Sequence, residues 1–156
     1  MILNVVDNFI SKDLLECMNY SFNNSPHYIH ISVSDFTGSC FYNIPLELNN
    51  PFVWFYFNKL NDLFLKNNYQ PLRAYVNIQH KYMDGEFHTD DGDLTCLLML
   101  SKTLQKEEGV FEIENGEKID FVQNRLILFD AKNYHRGIGP RTNVTRMTFA
   151  LKTKKI

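Results

Sequence analysis

Four short apolar runs fill the second half of the chain, and they limit the folds open to it. The runs cover residues 94–100, 109–111, 125–130 and 146–151, with the Gly/Pro turn 137–140 before the last one. We expect each run to contribute a strand to a β-rich core. Because the segments with helical spacing all come earlier, the order of elements predicts a mainly β (α+β) domain with its helices early in the chain.

Two segments in the first 70 residues have the apolar spacing of helices. The first begins after the capping residue Ser11, and its apolar side chains recur three and four positions apart: Leu14, Leu15, Met18 and Phe22. The second begins at Pro51, ends near Asn67, and carries a wide apolar stripe: Phe52, Phe55, Tyr56, Leu60, Leu63 and Phe64. We expect both helices to lie against the sheet. Residues 23–50 between them are expected to form loops with two short strands, near 28–33 and 40–44.

Length, composition and charge exclude several classes of protein. The 156 residues predict one domain, and 44% hydrophobic with 14% aromatic content excludes wholesale disorder. A formal net charge of −2 offers no basic field for nucleic acid. Three unpaired-looking cysteines predict free thiols in a reducing compartment. The chain shows neither a signal peptide nor an apolar run of about 18 residues, so we expect a cytoplasmic protein without a membrane segment.

A His-x-Asp unit precedes the first apolar run of the core. In an extended segment His88 and Asp90 share one face, so their side chains converge on one point. His135 directly follows the strand predicted at 125–130 and can supply a third ligand. Two histidines and one carboxylate leave positions open on an octahedral metal, as in non-haem Fe(II) oxygenases, although zinc could occupy the same ligands.

The other histidines stand before this unit in the chain. They are His27, His30 and His80. We interpret them as ordinary polar positions rather than as metal ligands.

These parts, taken in order, resemble a known family. The resemblance rests on residues 88–90, 94–100, 109–111, 124–129 and 146–148, together with His135. It is to the 2-oxoglutarate- and Fe(II)-dependent dioxygenases, within the prolyl-4-hydroxylase-like branch. It implies a double-stranded β-helix, or jelly roll, with two N-terminal bracing helices. We therefore divide the single domain 1–156 into helical support at 1–70 and a jelly-roll core at about 71–153.

The resemblance also implies the cofactors. Fe(II) is expected on His88, Asp90 and His135, with 2-oxoglutarate (2OG) and O2 as co-substrates and ascorbate in a supporting role. Arg146, 11 positions after His135, is the candidate for the distal carboxylate of 2OG, because a guanidinium can donate two parallel hydrogen bonds to it. Thr148 shares its strand face.

Residues 72–79 are predicted to form the first long strand, and two of them are candidates for hydrogen bonds to 2OG. Tyr75 and Asn77 lie on one face of that strand, just before the His-x-Asp unit. The chain departs from the family at Met99, which stands where animal prolyl hydroxylases carry a tyrosine for the distal carboxylate. We therefore expect that carboxylate to depend on Arg146 and on Thr148 or Thr95.

The expected reaction is hydroxylation of an unactivated C–H bond. The resemblance favours a peptidyl residue such as proline as substrate, with a free amino acid or small metabolite second. We do not expect a nucleic-acid substrate, since the repair enzymes of the family usually carry a second arginine where this chain has Lys152. Tyr82 and Arg141 are candidates for the substrate mouth. A non-catalytic jelly-roll binding protein remains the alternative.

Overall fold

Two antiparallel sheets organise the part of the chain that the structure describes. The computed structural model describes residues 1–26, 28–31 and 40–156, with 28–31 and 40 described by their backbone alone. With strands numbered in chain order, the larger sheet has the order β1 (Ile2–Val6), β8 (Leu126–Asp130), β5 (Leu94–Met99), β10 (Arg146–Lys155), β4 (Tyr69–Gln79), β3 (Cys40–Leu46) and β2 (Tyr28–Ile31). The smaller sheet has the order β7 (Lys118–Ile119), β6 (Phe111–Ile113) and β9 (His135–Gly137).

Two helices brace the larger sheet, as the sequence predicts. Helix α1 (Lys12–Asn23) is capped by the Ser11 side chain, which accepts a hydrogen bond from the backbone N–H of Leu14. Helix α2 (Pro51–Leu60) is capped in the same way by Asn50 and continues into one π-helical turn, Asn61–Leu65.

The buried face of α2 is narrower than the predicted stripe. Val53, Tyr56 and Leu60 are buried, at spacings of three and four residues. Phe55 lies on the opposite side of the helix and is 63% exposed. Leu63, in the wider π-helical turn, is half exposed. The stripe was wrong at these two positions because a helix packed on a sheet buries one side only.

Alternation along β10 separates two layers of packed side chains. Met147, Phe149 and Leu151 join the core beneath the helices. Ala150 joins a second core between the two sheets, with aromatic side chains from β6 and β8. Since side chains alternate along a strand, Arg146, Thr148 and Lys152 also point between the sheets. The jelly-roll expectation with two bracing helices is confirmed, and the interior between its sheets is where the polar residues gather.

The N-terminal part supplies strands as well as helices. Strands β2 and β3 lie close to the two short strands predicted there, whereas β1 was not predicted. Strand β1 pairs with β8 at the sheet edge, and an ion pair between Asp7 and Arg125 fastens its end. Among the described residues, no helix is long and apolar enough to cross a membrane.

Candidate metal centre and its cavity

Backbone pairing brings the three predicted metal ligands together. His88 follows β4 in a loop, and its N–H and C=O exchange hydrogen bonds with those of His135 at the start of β9, at 3.0 and 2.9 Å. The backbone N–H of Asp90 donates to the carbonyl of Ala131 at 2.8 Å. One candidate ligand atom from each residue lies within 4.8 Å of the others. The His88 and His135 Nε2 atoms lie 3.6 and 3.5 Å from the Asp90 carboxylate.

Both imidazoles are oriented by backbone carbonyls. Nδ1 of His88 lies 2.8 Å from the carbonyl oxygen of Glu86, and Nδ1 of His135 lies 2.8 Å from that of Asn133. A carbonyl oxygen can only accept, so each Nδ1 carries the proton. When the imidazole is neutral, its Nε2 then presents a lone pair toward the carboxylate, which is the tautomer that a metal-binding histidine needs.

Aromatic rings hold His135 in a dry environment. The Phe129 and Phe111 ring centroids lie 4.6 and 5.5 Å from that of the imidazole. Burial lowers the pKa of His135 below its usual range, against the opposing effect of Asp90. The neutral form that can bind a metal is thus favoured.

Asp90 is held on both carboxylate oxygens. The hydroxyl of Thr95 donates to Oδ2 at 2.7 Å, and Nζ of Lys152 lies 2.7 Å from Oδ1. Burial raises the pKa of Asp90, but His135 and Lys152 lower it more, so the carboxyl titrates below its usual range. Sequence reasoning missed this role of Lys152. Its even spacing from Arg146 on β10 is the signal that places both on one face.

Arg146 lies at the other end of the same strand face. Its side chain is almost fully buried, and its Nε and Nη1 donate to the Gly109 carbonyl at 2.8 Å and to Oε1 of Gln79 at 2.6 Å. Nη2 has no hydrogen-bond partner among the residues that the structure describes. Burial lowers the pKa of Arg146 to about 10, so the guanidinium stays charged at neutral pH.

Gln79 fixes this guanidinium, and it was not among the predicted site residues. Its Nε2 donates to the carbonyls of Met83 at 2.7 Å and Gly137 at 2.9 Å, which turns Oε1 toward Arg146. Gly137 packs directly on the same group, since a Cβ there would lie 2.9 Å from Nη1. The alternation of β4 puts Gln79 on the face of Tyr75 and Asn77, which could have identified it.

One cavity joins the metal ligands to Arg146. It has a volume of about 660 Å³, and Thr148 lies in its wall between the two groups. The Thr148 hydroxyl is fully buried and, within the described part of the chain, lacks a hydrogen-bond partner. Buried donors without partners are rare in folded proteins. The Nη2 of Arg146 and this hydroxyl belong to residues that line the same cavity, and each can donate to an anionic oxygen.

The other predicted co-substrate residues also reach this cavity. Tyr75 and Asn77 line it. The ring of Tyr75 lies 5.2 Å from Nζ of Lys152, and the amide oxygen of Asn77 accepts a hydrogen bond from Asn43. Met99 is buried outside the lining, where its sulfur accepts the N–H of Val122 at 3.3 Å.

Tyr82 and Arg141, the candidates for the substrate mouth, do not line the cavity. Arg141 forms two hydrogen bonds of 2.8 Å with Asp84, and its guanidinium lies 5.7 Å from the largely exposed Tyr82 ring. His80 contacts Thr145 and lies apart from the three ligands. His27 and the side chain of His30 lie outside the described residues.

Comparisons with known proteins were made on sequence and on structure. No protein-family model and no curated protein sequence matches the chain. Solved structures do match. The viral collagen prolyl hydroxylase of Paramecium bursaria Chlorella virus-1, in complex with 2OG, has a TM-score of 0.74 at 13% identity, over 98% of this chain and 96% of that one.

Two further structures have the same fold. A Trichoplax adhaerens prolyl hydroxylase bound to a hypoxia inducible factor peptide fragment has a TM-score of 0.74 at 15% identity, over 97% of this chain and 83% of that one. HygX of Streptomyces hygroscopicus, with nickel and 2-oxoglutarate bound, has a TM-score of 0.73 at 9% identity, over 97% and 82%. The chain therefore has the jelly-roll fold of the 2OG- and Fe(II)-dependent oxygenases, a group that includes the prolyl hydroxylases.

Proposed function

We propose that this protein is an Fe(II)- and 2OG-dependent dioxygenase that hydroxylates a C–H bond. One observation carries the proposal. Three ligand atoms, from His88, Asp90 and His135, converge in the same cavity as a buried arginine whose Nη2 has no partner in the described chain. The three ligand atoms suit a divalent metal with open coordination positions, and the buried arginine suits a carboxylate.

The residues around the cavity fit a 2-oxo dicarboxylate. His88, Asp90 and His135 would hold the metal, and the 2-oxo acid end of 2OG would bind beside them. Arg146 would donate through Nη2 to the distal carboxylate, with the Thr148 hydroxyl as a second donor. The buried rings of Phe111 and Phe129 shield His135 from water. When bound, iron and 2OG supply the oxidising chemistry: O2 is consumed, 2OG becomes succinate and CO2, and a substrate C–H becomes C–OH.

The substrate is proposed to be a peptidyl residue, with proline as the first choice. The likeness to two prolyl hydroxylases, one of them bound to a peptide fragment, supports this choice. The cavity lining also includes Leu46 on β3, whose apolar side chain suits contact with a substrate. HygX is known bound to hygromycin B, so a small-molecule substrate is the second candidate. Tyr75 and Asn77 are proposed to contact 2OG.

The cytoplasm is the proposed compartment. Cys17 and Cys96 are free thiols in the structure, which suits a reducing environment.

Turnover of 2OG without a prime substrate tests the proposal. The purified protein would be given Fe(II), 2OG, ascorbate and O2, and succinate would be measured for wild type, His135→Ala and Arg146→Met. We expect slow succinate release by wild type and none above background by either variant. A wild type that binds neither metal nor 2OG would overturn the proposal and leave a non-catalytic jelly-roll binding protein.

A further inference from the structure

Lys152 is a buried cation that the proposed function leaves without a role. Only 3% of its surface is exposed. Its Nζ lies 2.7 Å from Oδ1 of Asp90 and 3.0 Å from Oδ1 of Asp91, with the Tyr75 ring beside it. A lysine is almost never fully buried unless it is paired, and a pair that includes a metal ligand bears on that metal.

The charges around the cavity explain what Lys152 does there. Arg73 and Asp91 form an ion pair of 2.8 Å at the half-exposed rim and largely cancel each other. The charged groups left in the described lining are Asp90, Lys152 and Arg146. Lys152 neutralises the negative charge of Asp90, so the carboxylate no longer offsets the positive charge of a bound divalent cation. The metal then presents more of its positive charge to the cavity.

Such an arrangement opposes a cation and favours an anion. Lys152 and the metal would share one carboxylate within a few ångströms, where like charges repel strongly because the site is buried. An incoming dianion meets the opposite situation, since the metal, Arg146 and Lys152 all attract it. The charge of Lys152 therefore changes the affinity for the metal and the affinity for the dianion in opposite directions.

We propose that Lys152 is a positioning residue that couples metal and co-substrate binding: it weakens the affinity of the triad for a divalent cation and strengthens the affinity of the metal-loaded site for a dianionic 2-oxo acid. This inference rests on the proposed function and says how the charge of Lys152 affects binding at that same site. The 2.7 Å ion pair with Asp90 also orients the carboxylate, so charge and geometry must be separated experimentally.

The test uses Lys152→Gln, which removes the charge and keeps an N–H donor, with Lys152→Arg as the charge-conserving variant. Lys154→Met is the matched control, because Lys154 lies on the same face of β10 and is exposed. Calorimetry would give the Kd of Mn(II), and then the Kd of 2OG for the Mn(II)-saturated protein under argon. Thermal unfolding would check that each variant is folded. If Lys152→Gln is not folded, Lys152→Met would be used in its place.

For Lys152→Gln we expect Mn(II) to bind at least threefold more tightly and 2OG at least tenfold more weakly. Lys152→Arg and Lys154→Met should stay within threefold of wild type for both ligands. Parallel weakening of Mn(II) and 2OG would mean a purely structural role and overturn the inference. Unchanged 2OG affinity would overturn it as well. A wild type that binds Mn(II) but no 2OG would instead overturn the proposed function.

Discussion

Gln79 holds the buried guanidinium of Arg146, so replacing it should weaken 2OG binding without touching the metal ligands. Gln79→Met keeps a similar shape and removes both amide functions. It deletes the 2.6 Å hydrogen bond to Nη1, which is charge-assisted, and the 2.7 Å donor to the Met83 carbonyl. The Gly137 carbonyl keeps a partner, because it also accepts the N–H of Gly85 at 2.8 Å.

The lost contacts set the size of the expected effect of Gln79→Met on stability and on 2OG binding. A hydrogen bond to a charged group contributes about 1.5–3 kcal/mol, and a buried acceptor left without a donor costs about 1–3 kcal/mol. We expect a net loss of about 2–4 kcal/mol in the free energy of unfolding, which lowers Tm by roughly 4–16 °C in a chain of this size. The released guanidinium should raise the Kd of 2OG by about 10- to 100-fold, with the Kd of Mn(II) unchanged.

Urea unfolding and calorimetry would measure both effects, with Gln123→Met as the control. Gln123 is a partly buried glutamine away from the cavity, and its amide donates to the Leu100 carbonyl at 2.9 Å. The control should lose some stability and keep the wild-type affinity for 2OG. Should Gln79→Met lose stability as expected yet bind 2OG within twofold of wild type, Arg146 would not be the co-substrate anchor.

Three further changes have expected outcomes of their own. Thr95→Val removes the 2.7 Å donor to Asp90, so the Kd of Mn(II) should rise about 10- to 100-fold, whereas Thr103→Val should leave it unchanged; equal values would exclude Thr95 as a support of the ligand. Gly137→Ala places a Cβ 2.9 Å from Nη1 of Arg146, so 2OG should bind at least fivefold more weakly while Mn(II) binding persists, as calorimetry would show. Asp84→Asn should cost about 1 kcal/mol at pH 7, a small value because the Asp84–Arg141 pair is partly exposed. Since hydrogen bonding to Arg141 lowers the folded-state pKa of Asp84, its stabilisation is complete above the unfolded pKa of about 3.9 and is lost as pH falls through the folded value; urea titrations in which the difference persisted at pH 2 would contradict this.

Much of the fold follows from local patterns in the sequence. The apolar runs at 94–100, 125–130 and 146–151 match β5, β8 and most of β10, because a short apolar run bounded by turn residues is a local signal. The short β7 and β9 and the edge strand β1 were not predicted. Strands β7 and β9 span only two and three residues, so their strand character comes from pairing rather than from a local pattern, whereas the Ile- and Val-rich β1 carries a local strand signal that the prediction missed.

The candidate site was also predicted only in part. The spacing of His88 and Asp90, and the position of His135 after a strand, were enough to predict three side chains that the structure brings together. The contacts that orient them were not predicted, because Gln79 and Lys152 reach Arg146 and Asp90 only through the pairing of β4, β5 and β10. Whether a given polar residue on a strand face meets water or a ligand depends on what the second sheet covers.

Anaerobic binding of 2OG to the Fe(II)-loaded protein tests most directly whether His88, Asp90 and His135 form the metal centre. A 2-oxo acid that chelates Fe(II) through its carboxylate and oxo group produces a visible charge-transfer absorption, which can be titrated in the absence of O2. We expect this absorption for wild type, a much weaker affinity with the same absorption for Arg146→Met, and its loss for His135→Ala. A wild-type protein that binds Fe(II) and 2OG with no such absorption, or a His135→Ala variant that retains it, would contradict the assignment of the metal centre.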